Sequence, residues 1–155
     1  MSLIAASEQE FLERAVDFTN ERLWGTLSCT ITLPAGCRRG ASRRAIDRCL
    51  DRLRYGVVGI NQWTGVGYAT AALPWGGYPG STLKDPHSGT GRVHNPLLLE
   101  DVEQAVFEGP LVTWPRPIWF PSHPDPEPAA WDLFELSRQP GWSRLGRLMR
   151  SSLGR

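Results

Sequence analysis

Two short apolar runs rich in β-branched residues, Thr26–Leu33 and Val57–Ile60, flank a helical stretch, and that order limits what the chain can fold into. Thr26–Leu33 carries Thr and Ile and is stopped by Pro34–Ala35–Gly36. Branched side chains suit a pleated, half-buried surface, so this run reads as a strand. From Ser42 to Leu53 the apolar set Ala45, Ile46, Cys49, Leu50 and Leu53 returns at helical spacing, with Gly56 as terminator. Val57–Val58–Gly59–Ile60 then reads as a second, well-buried strand. Upstream, Ser7 and Glu10 form a capping-box pattern, and Phe11, Leu12, Ala15, Val16 and Leu23 share one face of a helix ending near Trp24–Gly25. The alternation helix, strand, helix, strand predicts an α/β protein with a partial open parallel sheet, its two strands joined by a right-handed crossover.

At 155 residues the chain has the size of one compact domain, and 41% hydrophobic residues permit a sizeable core. Lys plus Arg number 17 against 16 Asp plus Glu, a formal net charge of +1, so no global field draws in nucleic acid or an acidic membrane. Neither partner is expected. No apolar run is long enough to span a bilayer, which takes roughly 18 residues, and no export signal is recognisable, so a cytoplasmic setting is expected. Cys29, Cys37 and Cys49 are odd in number and lack C-x-x-C spacing, which argues for reduced thiols over disulfides or a thiolate metal site.

After Asn61 the character changes. Glycines at 65, 67, 76, 77, 80, 89 and 91 are scattered among Trp63, Tyr68, Trp75 and Tyr78, the mark of a long ordered loop rather than a linker. A strand is predicted over Val102–Glu108 with its facing unassigned. Pro110–Pro128 holds seven of the chain's thirteen prolines and should be extended, because each removes a donor and restricts its predecessor. Short helices are expected around Ala129–Ser137 and Ser143–Leu153. The expected division is 1–109, a Pro-rich segment 110–128 and a helical tail 129–155.

Three short patterns in order carry a resemblance. Ala15 and Asn20 precede Trp24–Gly25; Leu53, Gly56 and Val58 lead to Ile60–Asn61; Pro74–Trp75–Gly76–Gly77 is followed by Ser88–Gly89–Thr90–Gly91–Arg92. In this order and at this spacing they resemble the C-terminal portion of the aldehyde dehydrogenase superfamily, over about Glu8 to Glu108. Trp75 stands where that family usually has phenylalanine, and Tyr78–His87 is longer than its usual link; nothing after Gly109 has a counterpart identified there.

The resemblance implies that Asn61, Trp63, Gly65, Val66, Pro74, Trp75, Gly76 and Gly77 belong to a loop walling an aldehyde pocket. It also implies that Val102, Gln104 and Val106 lie on an oligomerisation strand that pairs with a neighbouring subunit. The family's nucleophilic cysteine, glutamate base, asparagine oxyanion donor and dinucleotide region lie upstream of the matched segment, and Met1–Ser7 has nothing like the family's cofactor-contacting glutamate element. A non-catalytic segment is therefore expected, with no cofactor bound by this chain and NAD or NADP in the full-length enzyme. Its partner would be the missing N-terminal part, or a second copy joined through unpaired sheet edges. The alternative is a free-standing interaction or oligomerisation module derived from that fold.

Other candidates have plainer readings. Cys37 beside Arg38 and Arg39 is in a setting that favours thiolate, yet no His or Asn partner is assignable. His87, His94 and His123 do not share a helical face, so no metal is expected. Arg38, Arg39, Arg43, Arg44, Arg48, Arg52 and Arg54 are interleaved with Asp47 and Asp51 and read as a solvated ion-pair face rather than a nucleic-acid surface. Arg144, Arg147 and Arg150 opposite Trp142, Leu145 and Met149 form a basic amphipathic segment, expected to bury against the domain rather than dock on a membrane or partner.

Overall fold

The computed structural model describes residues 4–153 except 72, 95–97, 115, 118, 119 and 121; the side chain of Arg38 is also outside the described set. The chain divides into two compact units, Met1–Leu111 and Val112–Arg155.

Unit 1 opens with α1 (Glu8–Arg22). The Ser7 side chain accepts from the Glu10 N–H at 3.2 Å, as the capping pattern requires. The returning bond goes from the Ala6 N–H to Glu10 Oε2 at 2.6 Å, one residue earlier than a capping box would place it. β1 (Ser28–Ile31) follows and is shorter than the run predicted, although Thr26 and Leu27 still accept ladder bonds from Gly56 and Val57. A single 3-10 turn at Ala35–Arg38 leads into α2 (Gly40–Arg52), and β2 (Val57–Ile60) has the predicted limits. α3 (Gly65–Ala69) is a short helix inside the stretch expected to be loop. It is followed by β3 (Trp75–Gly76), β4 (Arg92–Val93) and β5 (Ala105–Glu108).

The fold is α/β with a small parallel sheet of order β1-β2-β5. Ser28 pairs with Val57 and Val57 with Ala105, while Ile31 pairs with Ile60 and Ile60 with Glu108. β2 is the central strand, and Val57, Val58 and Ile60 are at most 1% exposed. Burying each contributes about 1.5–3 kcal/mol by area transfer. On one side, Val58 and Ile60 join Val16, Ile46, Cys49, Leu50 and Leu53 in the cluster that holds α1 and α2 to the sheet. β3 and β4 form a separate two-stranded antiparallel ladder.

The strand predicted from Val102 begins at Ala105. It lies beside β2 of its own chain, so pairing of this strand with a neighbouring subunit has only its outer edge to use. Gln104 precedes it and donates from Nε2 to the Leu53 carbonyl at 2.7 Å. Val102 is half-buried, and Val106 is 42% exposed.

Unit 2 contains α4 (Pro126–Arg138) and α5 (Trp142–Ser152), packed on each other as a hairpin. Both tail helices were expected, but α4 starts three residues before Ala129 because prolines at 126 and 128 occupy the first turn, where a missing N–H costs nothing. Of the predicted extended segment, residues 115, 118, 119 and 121 lie outside the described set. Among the described residues of unit 2 only Ala129 and His123 are buried.

Candidate functional site

The residues expected to wall a pocket fall at opposite ends of β2. At its carboxyl end Asn61 adopts φ +57°, a left-handed conformation that asparagine tolerates better than most residues. Its N–H donates to the Ile31 carbonyl at 2.8 Å and its Oδ1 accepts from the Leu33 N–H at 2.7 Å, tying the end of β2 to the exit of β1. Trp63 follows, 56% exposed, with its ring lying over Gly65, where a Cβ would come within 2.5 Å of the indole. Val66 is half-buried in α3, one helical residue beyond Gly65.

At the amino end Gly76 and Gly77 cross close beneath Gly56. A Cβ on Gly56 would meet the Gly76 carbonyl oxygen at 1.9 Å, so these backbones can approach only because position 56 has no side chain. Pro74 is buried and Trp75 half-buried. The Trp75 ring meets Tyr68 edge-on at 5.5 Å, and Tyr68 meets His94 at 4.9 Å. Arg92 pairs with Gly76 across the ladder and donates to the carbonyls of Glu103 at 2.7 Å and Gly77 at 3.4 Å. Burial depresses its guanidinium pKa. Pro74 and Val102 line a cavity of about 390 Å³ together with Arg92 and Asp101.

A second cavity of about 470 Å³ also opens at the amino end of the sheet, and no sequence pattern pointed to it. It is lined by the last turn of α1 with Trp24 and Thr26, by Arg54 and Tyr55, and by Tyr78, Ser81 and His87. Asn20 braces it, with Nδ2 donating to the Arg52 carbonyl at 2.8 Å and Oδ1 accepting from the Arg54 N–H at 2.9 Å. Ser88 Oγ accepts from the Thr26 N–H at 2.7 Å and closes the other side. The hydroxyl oxygens of Thr26 and Ser81 are buried without a partner among the described residues. Thus the cavity offers polar contacts but no nucleophile paired with a base.

The cysteines are placed as small core residues or on apolar walls. Burial pushes the thiols of Cys29 and Cys49 up, against thiolate formation. Cys37 borders an apolar groove of about 540 Å³ with Phe11, Leu12, Leu33, Pro34 and Ile46, and no histidine lines it. Within the arginine cluster Arg43 bonds Asp47 and Glu108, each at 2.8 Å, and Arg52 pairs with Asp17. Hydrogen bonds to Glu108 and Asp47 raise the Arg43 pKa. Among the described residues no group of His, Cys, Asp and Glu could hold a metal ion, and no helix is long and apolar enough to cross a membrane.

Comparison with protein-family models, with characterised proteins and with solved structures gave no match.

Proposed function

We propose that unit 1 is a C-terminal portion of an aldehyde-dehydrogenase-like catalytic domain, a partial open sheet that lends structure to an NAD(P)-linked oxidation of aldehydes without supplying its chemistry. The observation that supports this is interlocking. Asn20 holds the backbone at Arg52 and Arg54, Gly56 admits the Gly76 carbonyl, Ser88 caps the Thr26 N–H, and Arg92 holds the Gly77 carbonyl. All three patterns that carry the resemblance contribute to this one cluster.

On this reading the loop through Asn61, Trp63, Gly65 and Val66, with Pro74–Gly77, supports a substrate pocket, and the nucleophile, base and dinucleotide site come from elsewhere. NAD or NADP would be held there, not by these residues. The setting is cytoplasmic, with reduced thiols, and neither nucleic acid nor a membrane is a partner. Assembly runs through the outer edges of β1 and β5, with a second copy or with the remainder of the enzyme.

The test has two arms. The purified chain should give no aldehyde-dependent reduction of NAD or NADP and no heat on titration with either; turnover by the chain alone overturns the proposal. Co-expression with the polypeptide encoded immediately upstream should yield aldehyde oxidation. An inactive pair, or no such reading frame, favours the free-standing interaction module instead, which the nearly coreless, aromatic-rich unit 2 also supports.

A further inference from the structure

Unit 2 is a helical hairpin whose apolar side chains mostly point away from its own interface. On α5 Trp142 and Met149, and at its C-cap Leu153, are 88%, 63% and 40% exposed. They fall at i, i+7 and i+11, one stripe of the helix. On α4, Trp131 and Phe134 form an edge-on pair at 5.9 Å while 61% and 54% exposed. From the size of such side chains Trp142, Met149, Leu153, Trp131 and Phe134 leave on the order of 600 Å² of apolar-rich surface open. That approaches the roughly 800 Å² per partner of a stable protein interface.

The charges indicate what covers this surface. α5 carries Arg144, Arg147 and Arg150 and no acidic residue, whereas α4 carries Glu127, Asp132 and Glu135 against the single Arg138. Within one hairpin α4 and α5 already match, with Asp132 and Arg147 3.9 Å apart. Among the described residues Arg150 has no ion pair. An α5 meeting another α5 would oppose like charges, but an α5 meeting the α4 of a second hairpin repeats the complementarity already present. A twofold arrangement satisfies both helices at once, because each copy then offers one basic and one acidic helix to the other.

We propose that the α4–α5 hairpin is a self-association module, two copies of which close into an antiparallel four-helix bundle, α5 of each chain packing on α4 of its partner. This is independent of the aldehyde dehydrogenase reading and uses a surface distinct from the sheet edges. Four helices bury what two cannot, since the apolar stripes meet across the new interface.

The test uses the full chain in sedimentation equilibrium from micromolar to sub-millimolar concentration. A monomer–dimer equilibrium is expected. Trp142→Glu with Met149→Glu should raise its Kd by a hundredfold or more while leaving the far-ultraviolet circular dichroism unchanged. Arg150→Glu should weaken it by about fivefold, an effect that fades in high salt. Because all three positions are exposed, loss of the monomer fold is not the expected cause. A chain monomeric throughout overturns the proposal, as does a dimer insensitive to these substitutions, which would move association to the sheet edges. Flotation of monomeric chain with phosphatidylglycerol vesicles but not phosphatidylcholine vesicles would assign the face to lipid and equally overturn it.

Discussion

The two units spend their apolar residues in opposite ways. Unit 1 threads a four-residue strand of almost zero exposure through the middle of its sheet and packs two helices against it. Unit 2 has helices of 13 and 11 residues against 13 for α2, yet of its described residues only Ala129 and His123 are buried, and the aromatics Trp114, Trp131, Phe134 and Trp142 stand out in solvent. The difference is geometric. A parallel sheet presents two faces that helices and loops can cover within one chain, whereas two helices meet along a single seam and leave their remaining apolar surface open. Hydrophobic content therefore gives unit 1 an interior and unit 2 an apolar exterior.

The largest contrast should appear on truncating one aliphatic side chain in each unit. Ile60→Ala removes a side chain 1% exposed at the centre of the sheet and should cost unit 1 about 3 kcal/mol. Leu148→Ala, half-buried on α5, should cost the monomeric hairpin about 1 kcal/mol or less, because the site opens toward water. Hydrogen exchange resolved by segment measures both in one protein. Equal losses would mean that unit 2 has a core of its own, and the contrast would fail.

Next in size is Gly56→Ala. The added methyl would sit 1.9 Å from a backbone oxygen that is itself fixed by the β3–β4 ladder, so relief requires moving main chain. About 2–3 kcal/mol of destabilisation is expected, against almost none for Gly146→Ala on α5, where no atom lies within 4 Å of the new methyl. Asn20→Ala should follow at about 1–2 kcal/mol. It leaves the Arg52 carbonyl and the Arg54 N–H without their partner, and chemical denaturation of unit 1 would show it.

The same residues show what could be read from sequence. Val57–Ile60 was legible because a short, wholly apolar run has few alternatives, and α2 because its apolar residues return at helical spacing. α3 was not, since Gly65 and Gly67 disfavour a helix; it forms where the N–H groups of Val66 and Gly67 find the carbonyls of Trp63 and Thr64. The position of β5 beside β2 was equally hidden, because a strand's own residues do not name its neighbour. Gly56 read as a helix terminator, but its sharper constraint comes from Gly76, twenty positions away. The polar cavity was invisible for the same reason, being assembled from residues 19–26, 54–55, 78–81 and 87, none a motif alone.

The smallest effect expected is on the alkaline side of the stability curve, and it belongs to unit 1 alone, since unit 2 has neither cysteine nor tyrosine. Burial raises the pKa of Cys29, of Cys49 and of Tyr55, the last with a further contribution from the Cys29 charge. For such groups the protonated form is favoured by the fold. Their contribution is fully present below the unfolded pKa, about 8.5 for a thiol and 10 for tyrosine. Between the unfolded and the folded value the unfolded chain releases protons that the native one retains, so stability falls as pH rises. Melting followed from pH 7.5 to 10 should show unit 1 losing Tm while segment-resolved exchange in α4 and α5 is unchanged apart from the intrinsic rate. Cys29→Ala should flatten the first part of that decline. A decline of the same steepness in Cys29→Ala would place the alkaline sensitivity in other groups, and a parallel loss in the hairpin would show that the two units do not unfold independently.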